Sequence, residues 1–441
     1  MKTVYILGAG VDCALGLPLA DGLLRELAAF VNGEGRGISS TLKAKLGGGR
    51  RVRFSFDKYV ANQGESFAER ILTDSSIASA VESALAKANG SSSGGAAAVQ
   101  TIIEKLGQIR AANELDEPTA AAVAELAGES AEMADPTMLR MRGVALNPSP
   151  RSAIVKIFRT VRESPDLSDP ERQALGDMVA AMTNFEDLLT ELFSGFYSRK
   201  NTEIRNYLYV SWILWSYMRW KSLSVDRNTS ESPNFYGRIT PFLDRESVIT
   251  FNYTSFFDLP PDRTVRFHGD CLSYIRHDRG ELIENDEAVT DAEDVDALEE
   301  FIGSLDMDVD RDRIFLPAIV PPSAMKPVIN REFISRWAQA EEMMAEADLL
   351  VAVGYAFHRI DSHFNDLFRQ AGSGKRLVVV NPDLDGARTA VCGLFGIDPS
   401  TLTSVRRAGV DVHQSGQLRL VPTRGEEVTE ELVAWIRGGS K

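Results

Sequence analysis

A short apolar run at residues 4–7 ends in the glycine turn Gly8-Ala9-Gly10, close to the start of the chain. Pro18 then precedes leucines at the spacing of a buried helix face. A strand, a glycine turn and a helix in this order are typical of a parallel α/β sheet. A buried parallel strand has neighbours on both sides, so residues 4–7 must pair with strands elsewhere in the chain.

Candidate partner strands come only in the second half of the sequence. There, apolar runs predict strands at 247–251, 264–267, 314–320, 349–353 and 377–380. Helical patterns at 332–347 and 361–370 separate the last three of these strands. Short strands separated by helices predict a doubly wound parallel sheet. Because the first strand must join this sheet, the residues between the two halves form an insertion.

The predicted insertion, residues 31–239, carries helical patterns and no strand signals. Alanine- and leucine-rich stretches alternate there with breakers such as NGSSSGG at 89–95. We therefore predict a Rossmann-like domain from residues 1–30 and 240–400, an inserted helical module, and a C-terminal strand and helix extension at 401–441.

Two helices are predicted near the end of the insertion, at 184–192 and 204–220. The second carries six aromatic residues, Tyr207, Tyr209, Trp212, Trp215, Tyr217 and Trp220. Such a stripe is typical of a hydrophobic core or a subunit interface rather than a ligand platform. Because one helix face seldom buries so many large side chains, we expect an interface and a homo-oligomer.

Polar residues follow the ends of several predicted strands. Asn252 lies in the run ITFNYT and His268 in RFHGD, while Gly354-Tyr355 and Asn381 follow the last two strands. In an open α/β sheet, ligands bind beyond the carboxyl ends of the strands. There the Asn252 amide could orient a ribose hydroxyl or a water, and His268 suits a general base. A turn asparagine and a structural histidine are the alternatives.

The glycine turn is a candidate phosphate site. Glycines let the backbone approach a phosphate, and the start of the next helix is expected to offer free N–H groups. However, Cys13 occupies the third glycine position of a GxGxxG pattern, and GEGRGISS stands where a second strand would carry its acidic residue. These departures disfavour a dehydrogenase. A tight strand-to-helix turn without a ligand is the alternative.

Cysteine usage bears on metal content and on the cellular compartment. Cys13, Cys271 and Cys392 lie far apart and form no CxxC pair. A four-cysteine zinc ribbon is therefore excluded, and a disulfide framework is not expected. Asp12 interrupts the apolar N-terminus, and no later apolar run is long enough to span a bilayer. We expect a cytosolic protein without membrane segments.

A second metal candidate combines His358, Asp361 and His363. The spacing of the two histidines turns them to different helix faces, which argues against a shared ion. Asp361 is predicted to cap the following helix. We expect no metal site in this chain.

The formal net charge of −15 is concentrated in one segment. Residues 281–312 hold fourteen acidic residues and one arginine, so the rest of the chain is nearly neutral. No basic stripe is present, and we do not expect direct binding to duplex nucleic acid. The acidic segment follows His268 along the chain, which predicts a mobile loop or lid at the mouth of the cleft.

Taken together and in order, these motifs resemble a known family. The segments are GAGVDCALGLP, ITFNYTSFFD, RFHGD, IVPPSAMKP, AEADLLVAVGYAFHRIDSHF and VVVNPD. They resemble the sirtuin-like fold and, within it, the sirtuin-like NADases of bacterial anti-phage defence. The resemblance covers residues 4–27 and 247–395. It implies an α/β, Rossmann-like sirtuin-type parallel sheet with a large inserted helical module and no zinc ribbon.

The resemblance also implies site residues, with NAD+ as the substrate and no metal. The positions implied for NAD+ binding are Gly8, Ala9, Gly10, Asp12, Gly354, Tyr355 and Asn381, and those implied for catalysis are Asn252 and His268. Two departures are present. Thr254 stands where the family often has aspartate, and Leu19-Ala20-Asp21 replaces the Asp-Phe-Arg expected in deacylases.

The activity that the resemblance implies is NAD+ glycohydrolysis, which releases nicotinamide and ADP-ribose. The implied role is anti-phage defence by NAD+ depletion, in a homo-oligomer that could act with a partner defence protein such as a hexameric ATPase. One alternative is an NAD-dependent protein deacylase or ADP-ribosyltransferase. Another is a non-catalytic nucleotide-binding sensor or scaffold subunit.

Overall fold

The computed structural model describes residues 2–13, 15–49, 52, 54, 56–57, 75–88, 154–155, 158–159, 161–182, 189, 192, 201–225, 235–236, 246–254, 261–321, 330–358 and 361–438. The breaker segment at 89–95 lies outside these residues, as does the helix predicted at 184–192 apart from residues 189 and 192. The motif IVPPSAMKP is described only as far as residue 321.

The strands of the described chain form two sheets. In chain order they are β1 (Thr3–Leu7), β2 (Ser247–Thr250), β3 (Thr264–Arg266), β4 (Gly269–Arg276), β5 (Glu281–Ile283), β6 (Phe315–Ile319), β7 (Leu349–Val353), β8 (Arg376–Val380), β9 (Thr403–Arg407), β10 (Val410–Ser415) and β11 (Leu418–Val421). Eight of them form one sheet in the order β3-β2-β1-β7-β8-β11-β10-β9, and the other three form a sheet in the order β5-β4-β6.

The large sheet is mostly parallel. Every pair from β3 to β11 is parallel, while β10 is antiparallel to both of its neighbours. The first strand lies between β2 and β7, as the sequence requires. The run at 314–320 does form a strand, β6, but it pairs antiparallel with β4 in the small sheet. The C-terminal strands extend the large sheet.

The α-helices of the described chain are α1 (Ala9–Cys13), α2 (Ala20–Asn32), α3 (Arg36–Gly47), α4 (Ser75–Ala88), α5 (Asp169–Met182), α6 (Asn201–Ser224), α7 (Glu287–Thr290), α8 (Val295–Ser304), α9 (Arg331–Glu346), α10 (Ser362–Gly372), α11 (Leu384–Phe395) and α12 (Glu430–Ile436). No helix among the described residues combines the length and the hydropathy needed to cross a membrane.

Both faces of the large sheet are covered, which explains the continuous apolar runs. Successive side chains of a strand point to opposite faces. Val4 and Ile6 pack in one cluster with residues of α9, α10 and α11, whereas Tyr5 and Leu7 pack in another with residues of α12. A strand buried on both sides needs apolar residues at every position.

By its internal contacts, the chain divides into two units. One comprises Met1–Phe56 and Leu189–Lys441, and the other comprises Asp57–Leu188. The first unit holds both sheets together with α3 and α6. The predicted insertion at 31–239 therefore covers the second unit and also helices that belong to the unit of the sheets.

The second unit is helical where it is described. Helices α4 and α5 pack on each other, with Leu85 and Leu175 buried. The buried Glu171 carboxylate accepts hydrogen bonds from Ser83 and Lys87, which ties the two helices together.

The aromatic helix predicted at 204–220 is α6, and it is a core helix. Its side chains Trp212 and Trp215 are fully buried within the chain. The helix packs on α2, α3, β4 and β6, and the Trp212 indole donates a hydrogen bond to the Phe315 carbonyl at 3.0 Å. The core interpretation is thus confirmed, and the subunit interface expected at this stripe is wrong.

The acidic segment at 281–312 is folded, so the mobile loop or lid expected there is wrong. It contains β5, α7 and α8, and α8 packs on α3. Apolar side chains such as Val289, Leu298 and Ile302 are fully buried. The carboxylates lie between these apolar positions, so one face of α8 is buried and the other is charged.

Candidate active site

The glycine turn after β1 lies against the turn after β7. The N–H of Gly8 donates to the Val353 carbonyl and the N–H of Gly10 donates to the Gly354 carbonyl, each at 3.0 Å. A Cβ on Gly8 would lie 2.4 Å from the Gly354 oxygen, and a Cβ on Gly10 would lie 2.9 Å from the Gly354 Cα. The two glycines are required by this backbone contact. Gly10 lies in the first turn of the next helix, and its N–H is bonded to Gly354, whereas a free N–H was expected at that helix start.

Asp12, in the short helix that follows, is a buried carboxylate. Its two oxygens accept hydrogen bonds from the hydroxyls of Tyr236 and Thr254. Burial raises the pKa of Asp12 to about 6, and the hydrogen bonds from Thr254, Tyr236 and Asn252 lower it in part. Burial also raises the pKa of the Tyr236 phenol well above its usual value, so this phenol stays a neutral donor.

Asn252 follows β2 and joins this group of side chains. Its amide nitrogen donates to the Gly8 carbonyl at 3.1 Å and to the Tyr236 hydroxyl at 3.3 Å. The residue is only 7% exposed. Asn252 therefore links the end of β2 to the turn after β1, and its side chain is held in a single orientation.

His268 follows β3 and is 5% exposed. Its imidazole stands edge-on to the Phe251 ring, with 4.8 Å between ring centroids. Its Nε2 lies 3.4 Å from Oδ1 of Asp361, a residue at the start of α10. The sequence predicts Asp361 as a helix cap, and its pairing with His268 was not foreseen.

Tyr355 and Asn381 follow β7 and β8. The Tyr355 ring stacks on Phe251 at 4.6 Å, and its hydroxyl donates to the Asn365 side chain at 3.0 Å. The Asn381 amide donates to the Tyr355 carbonyl at 3.3 Å, and its Oδ1 accepts from the Asp383 N–H. Burial raises the pKa of Tyr355 well above its usual value, so it also remains a neutral donor.

The nine predicted site residues all lie at one edge of the sheet. They follow β1, β2, β3, β7 and β8, which are adjacent strands, and parallel strands present their carboxyl ends at the same edge. Direct contacts join Asn252 to the glycine turn, and Phe251 lies between His268 and Tyr355. Asn252 and His268 follow neighbouring strands, because β2 pairs with β3.

Three residues of this edge were missed by sequence reasoning. Tyr236 lies in the predicted helical module and follows no strand, so no sequence signal marked it. Phe251 was interpreted only as part of a strand, although an aromatic residue next to Asn252 is a visible feature. Asp361 was visible as well, but an aspartate before a helix is typical of a cap.

This arrangement supplies a base with a carboxylate partner, a fixed amide and a buried carboxyl. Within the described part of the chain, no three His, Cys, Asp or Glu side chains are grouped closely enough to hold a metal ion. The chemistry that these residues can perform is proton transfer and orientation of a polar substrate.

Comparisons with known proteins add no identification. No protein-family model matches the chain, and a search of the curated proteins finds no match. What the fold defines is an α/β protein with a mostly parallel eight-stranded mixed sheet, consistent with a Rossmann-like fold.

Proposed function

We propose that this protein is a NAD+ glycohydrolase on a sirtuin-type sheet, with Asn252 and His268 as its catalytic pair. The observation that carries the proposal is the position of both side chains. They are buried at the carboxyl ends of the paired strands β2 and β3, and Asn252 contacts the glycine turn. Ligands of open α/β sheets bind at this edge.

The reaction is a hydrolysis that needs positioning more than covalent chemistry. The bond between nicotinamide and ribose breaks, and its electron pair leaves with the nicotinamide ring, which becomes neutral. The oxygen of a water bonds to the ribosyl carbon, which passes through an oxocarbenium-like state. Asn252 orients the ribose or the water, and His268 accepts the proton that the water or a ribose hydroxyl loses.

The remaining site residues have NAD+-binding roles in this proposal. Gly354 and Tyr355 line the channel for ribose and phosphate, and Asn381 lies toward the adenosine. Ala9 is the exposed residue of the glycine turn. Because the N–H groups of Gly8 and Gly10 bond to the protein, the pyrophosphate is assigned to the Ala9 side of that turn. Asp12 acts through Tyr236 and Thr254 rather than by direct contact.

One observation favours a second candidate, a nucleotide-binding sensor or scaffold subunit that does not cleave NAD+. The Asn252 amide nitrogen is bonded to the Gly8 carbonyl and the Tyr236 hydroxyl. An amide held in this way could serve to fix the turn alone. A sensor would bind NAD+ or ADP-ribose at the same edge and leave both unchanged.

The deciding experiment incubates the purified full chain with NAD+ and separates the products by chromatography. We expect nicotinamide and ADP-ribose in equal amounts, with and without an acetylated peptide. Release of nicotinamide only with the peptide would assign a deacylase instead. Bound but intact NAD+ would assign the sensor.

We further propose that the protein is a defence effector that depletes NAD+ on infection. An unrestrained NAD+ hydrolase would harm its own cell, so a homo-oligomer or a partner such as a hexameric ATPase is expected to restrain it. The aromatic side chains of α6 are buried in the chain and do not supply that interface. Light scattering, together with NAD+ measurement in infected and uninfected cells, tests this proposal.

A further inference from the structure

A buried carboxylate and a buried imidazole meet at the candidate site. The distance from Asp361 Oδ1 to His268 Nε2 is 3.4 Å, and the two side chains are 10% and 7% exposed. A carboxylate taken out of water is stable only with a partner that donates to it or carries the opposite charge. The His268 imidazole lies at ion-pair distance from this carboxylate.

The imidazole is held on several sides, so its direction is fixed. The Phe251 ring meets it at an interplanar angle of 88°. The His363 ring lies nearly parallel to it, at 22° and 6.3 Å. With the ring plane fixed by its neighbours, the Nε2 atom stays within ion-pair distance of the carboxylate.

The backbone that carries the carboxylate is fixed as well. The Asp361 N–H donates to the His358 carbonyl at 3.0 Å, and the residue directly precedes α10. The start of a helix of eleven residues favours a negative charge. Asp361 is thus held at a defined place, unlike a flexible surface carboxylate.

Other residues at helix starts show what Asp361 does differently. The side chains of Asp294 and Asp383 accept hydrogen bonds from N–H groups in the first turns of α8 and α11. In the first turn of α10, no described N–H group donates a capping hydrogen bond to the Asp361 side chain. A capping role alone would not require the contact between Asp361 and His268.

We propose that Asp361 is a positioning residue for His268. Its negative charge, 3.4 Å from Nε2, favours a proton on that nitrogen, which leaves Nδ1 as the basic nitrogen of the ring. When Nδ1 takes a proton from water or from a ribose hydroxyl, the Nε2–H bond is unchanged and Asp361 stays ionised beside the imidazolium. The proton later leaves from Nδ1 to solvent. The catalytic part of this inference rests on the proposed function, whereas the pairing does not.

The test uses Asp361→Asn, because asparagine caps a helix as well as aspartate does and differs in charge. We expect kcat for NAD+ cleavage to fall by about a hundredfold or more, with KM changed by less than about threefold. Combined with His268→Ala, it should cause no further loss, because the two residues act as a unit. Asp294→Asn, the same change at the start of α8, is the matched control and should leave kcat unchanged.

A second readout does not depend on NAD+. In protein labelled with ¹⁵N-histidine, NMR reports which ring nitrogen carries the proton, and His268→Ala assigns the signal among the five histidines. We expect neutral His268 to be protonated at Nε2 in the wild type and to lose that preference in Asp361→Asn. If the wild type shows this tautomer but cleaves no NAD+, the proposed function fails and the pairing stands. An unchanged tautomer, or an unchanged kcat in an active enzyme, would overturn the inference.

Discussion

Asp12 is a buried carboxyl at the base of the candidate site, and its burial has a consequence for stability. Burial raises its pKa from 3.8 to about 6, so the folded chain holds this proton more tightly than the unfolded chain. The free energy of unfolding therefore falls as pH rises from about 4 to about 6 and stays lower above that range. A shift of this size corresponds to about 3 kcal/mol.

Asp12→Asn should remove that pH dependence. Relative to the wild type, the free energy of unfolding of the variant should rise by about 3 kcal/mol between pH 4 and pH 7, because the variant has no charge to bury. Urea unfolding followed by tryptophan fluorescence measures this difference, since all five tryptophans lie in the unit that holds the sheets. Asp385→Asn, at a side chain 90% exposed, is the control. A wild-type advantage that does not vary with pH would contradict the prediction.

Gly354→Ala tests the contact between the two turns. The residue has a φ of +61°, and a Cβ there would lie 2.7 Å from the Val11 nitrogen. Strain and overpacking together should lower the free energy of unfolding by about 2–4 kcal/mol. Gly393→Ala, in α11 with open space around it, should instead stabilise by about 0.5–1 kcal/mol. Equal effects of the two variants in the same urea assay would refute the assigned contact.

Much of the candidate site could be predicted from the sequence, for a specific reason. An apolar run marks where a parallel strand ends, and the residue that follows lies at the binding edge of the sheet. The pattern does not show what a side chain contacts there. Asp361 before a helix fits a cap and a histidine partner equally well, and the N–H groups of Gly8 and Gly10 fit a phosphate and a neighbouring carbonyl equally well.

Among the secondary structure elements, the acidic segment is the one that departs most from expectation. Asp286 and Asp294 use their carboxylates as helix caps, which is local chemistry that a charge count does not reveal. Buried apolar residues such as Leu298 and Ile302 lie at helical spacing between the acidic positions. A high local charge therefore coexists with a packed face, and the charge alone gave the wrong prediction of mobility.

Arg219 of α6 binds the acidic segment at 281–312 to the core through hydrogen bonds. Its guanidinium donates to the carbonyls of Val289, Thr290 and Ala292, at 2.9–3.3 Å. Arg219→Met keeps most of the side-chain volume but removes these donors, so we expect the free energy of unfolding to fall by about 2–5 kcal/mol. Hydrogen exchange should accelerate more across 287–304 than in β1 and β7.

The matched control for this change is Arg311→Met. Arg311 pairs with Asp308 at the surface, and its side chain is 77% exposed. Loss of such a pair should change the free energy of unfolding by less than about 0.5 kcal/mol. If Arg219→Met behaved like Arg311→Met in exchange and in unfolding, the proposed attachment would be wrong.

For the whole molecule, the position of the first strand determines the chain topology. The strand at 4–7 could find parallel partners only beyond residue 246, and the structure pairs it with β2 and β7. The division into units was harder to predict, because helical periodicity does not show whether a helix packs on the sheet or on other helices. Helix α6 is an example, because it lies within the predicted insertion but belongs to the unit of the sheets.

Metal removal tests whether the fold or the activity of the chain depends on a bound metal ion. With only three cysteines, far apart in sequence, we expect chelators to change neither tryptophan fluorescence nor NAD+ cleavage. Metal analysis of the purified protein should find less than one equivalent of zinc. Stoichiometric zinc that is lost together with activity would show that the insertion holds a metal centre.

Nicotinamide release by the wild type, Asn252→Ala and His268→Ala, measured side by side, tests the central claim most directly. The wild type should cleave NAD+, and each variant should lose at least about a hundredfold in kcat/KM, the scale expected for a general base or a positioning group. Tryptophan fluorescence checks that each variant is folded, and His277→Ala, at an exposed residue that follows β4 of the small sheet, should retain full activity. Wild-type turnover in either folded variant, or no cleavage by the wild type, would contradict the proposed mechanism.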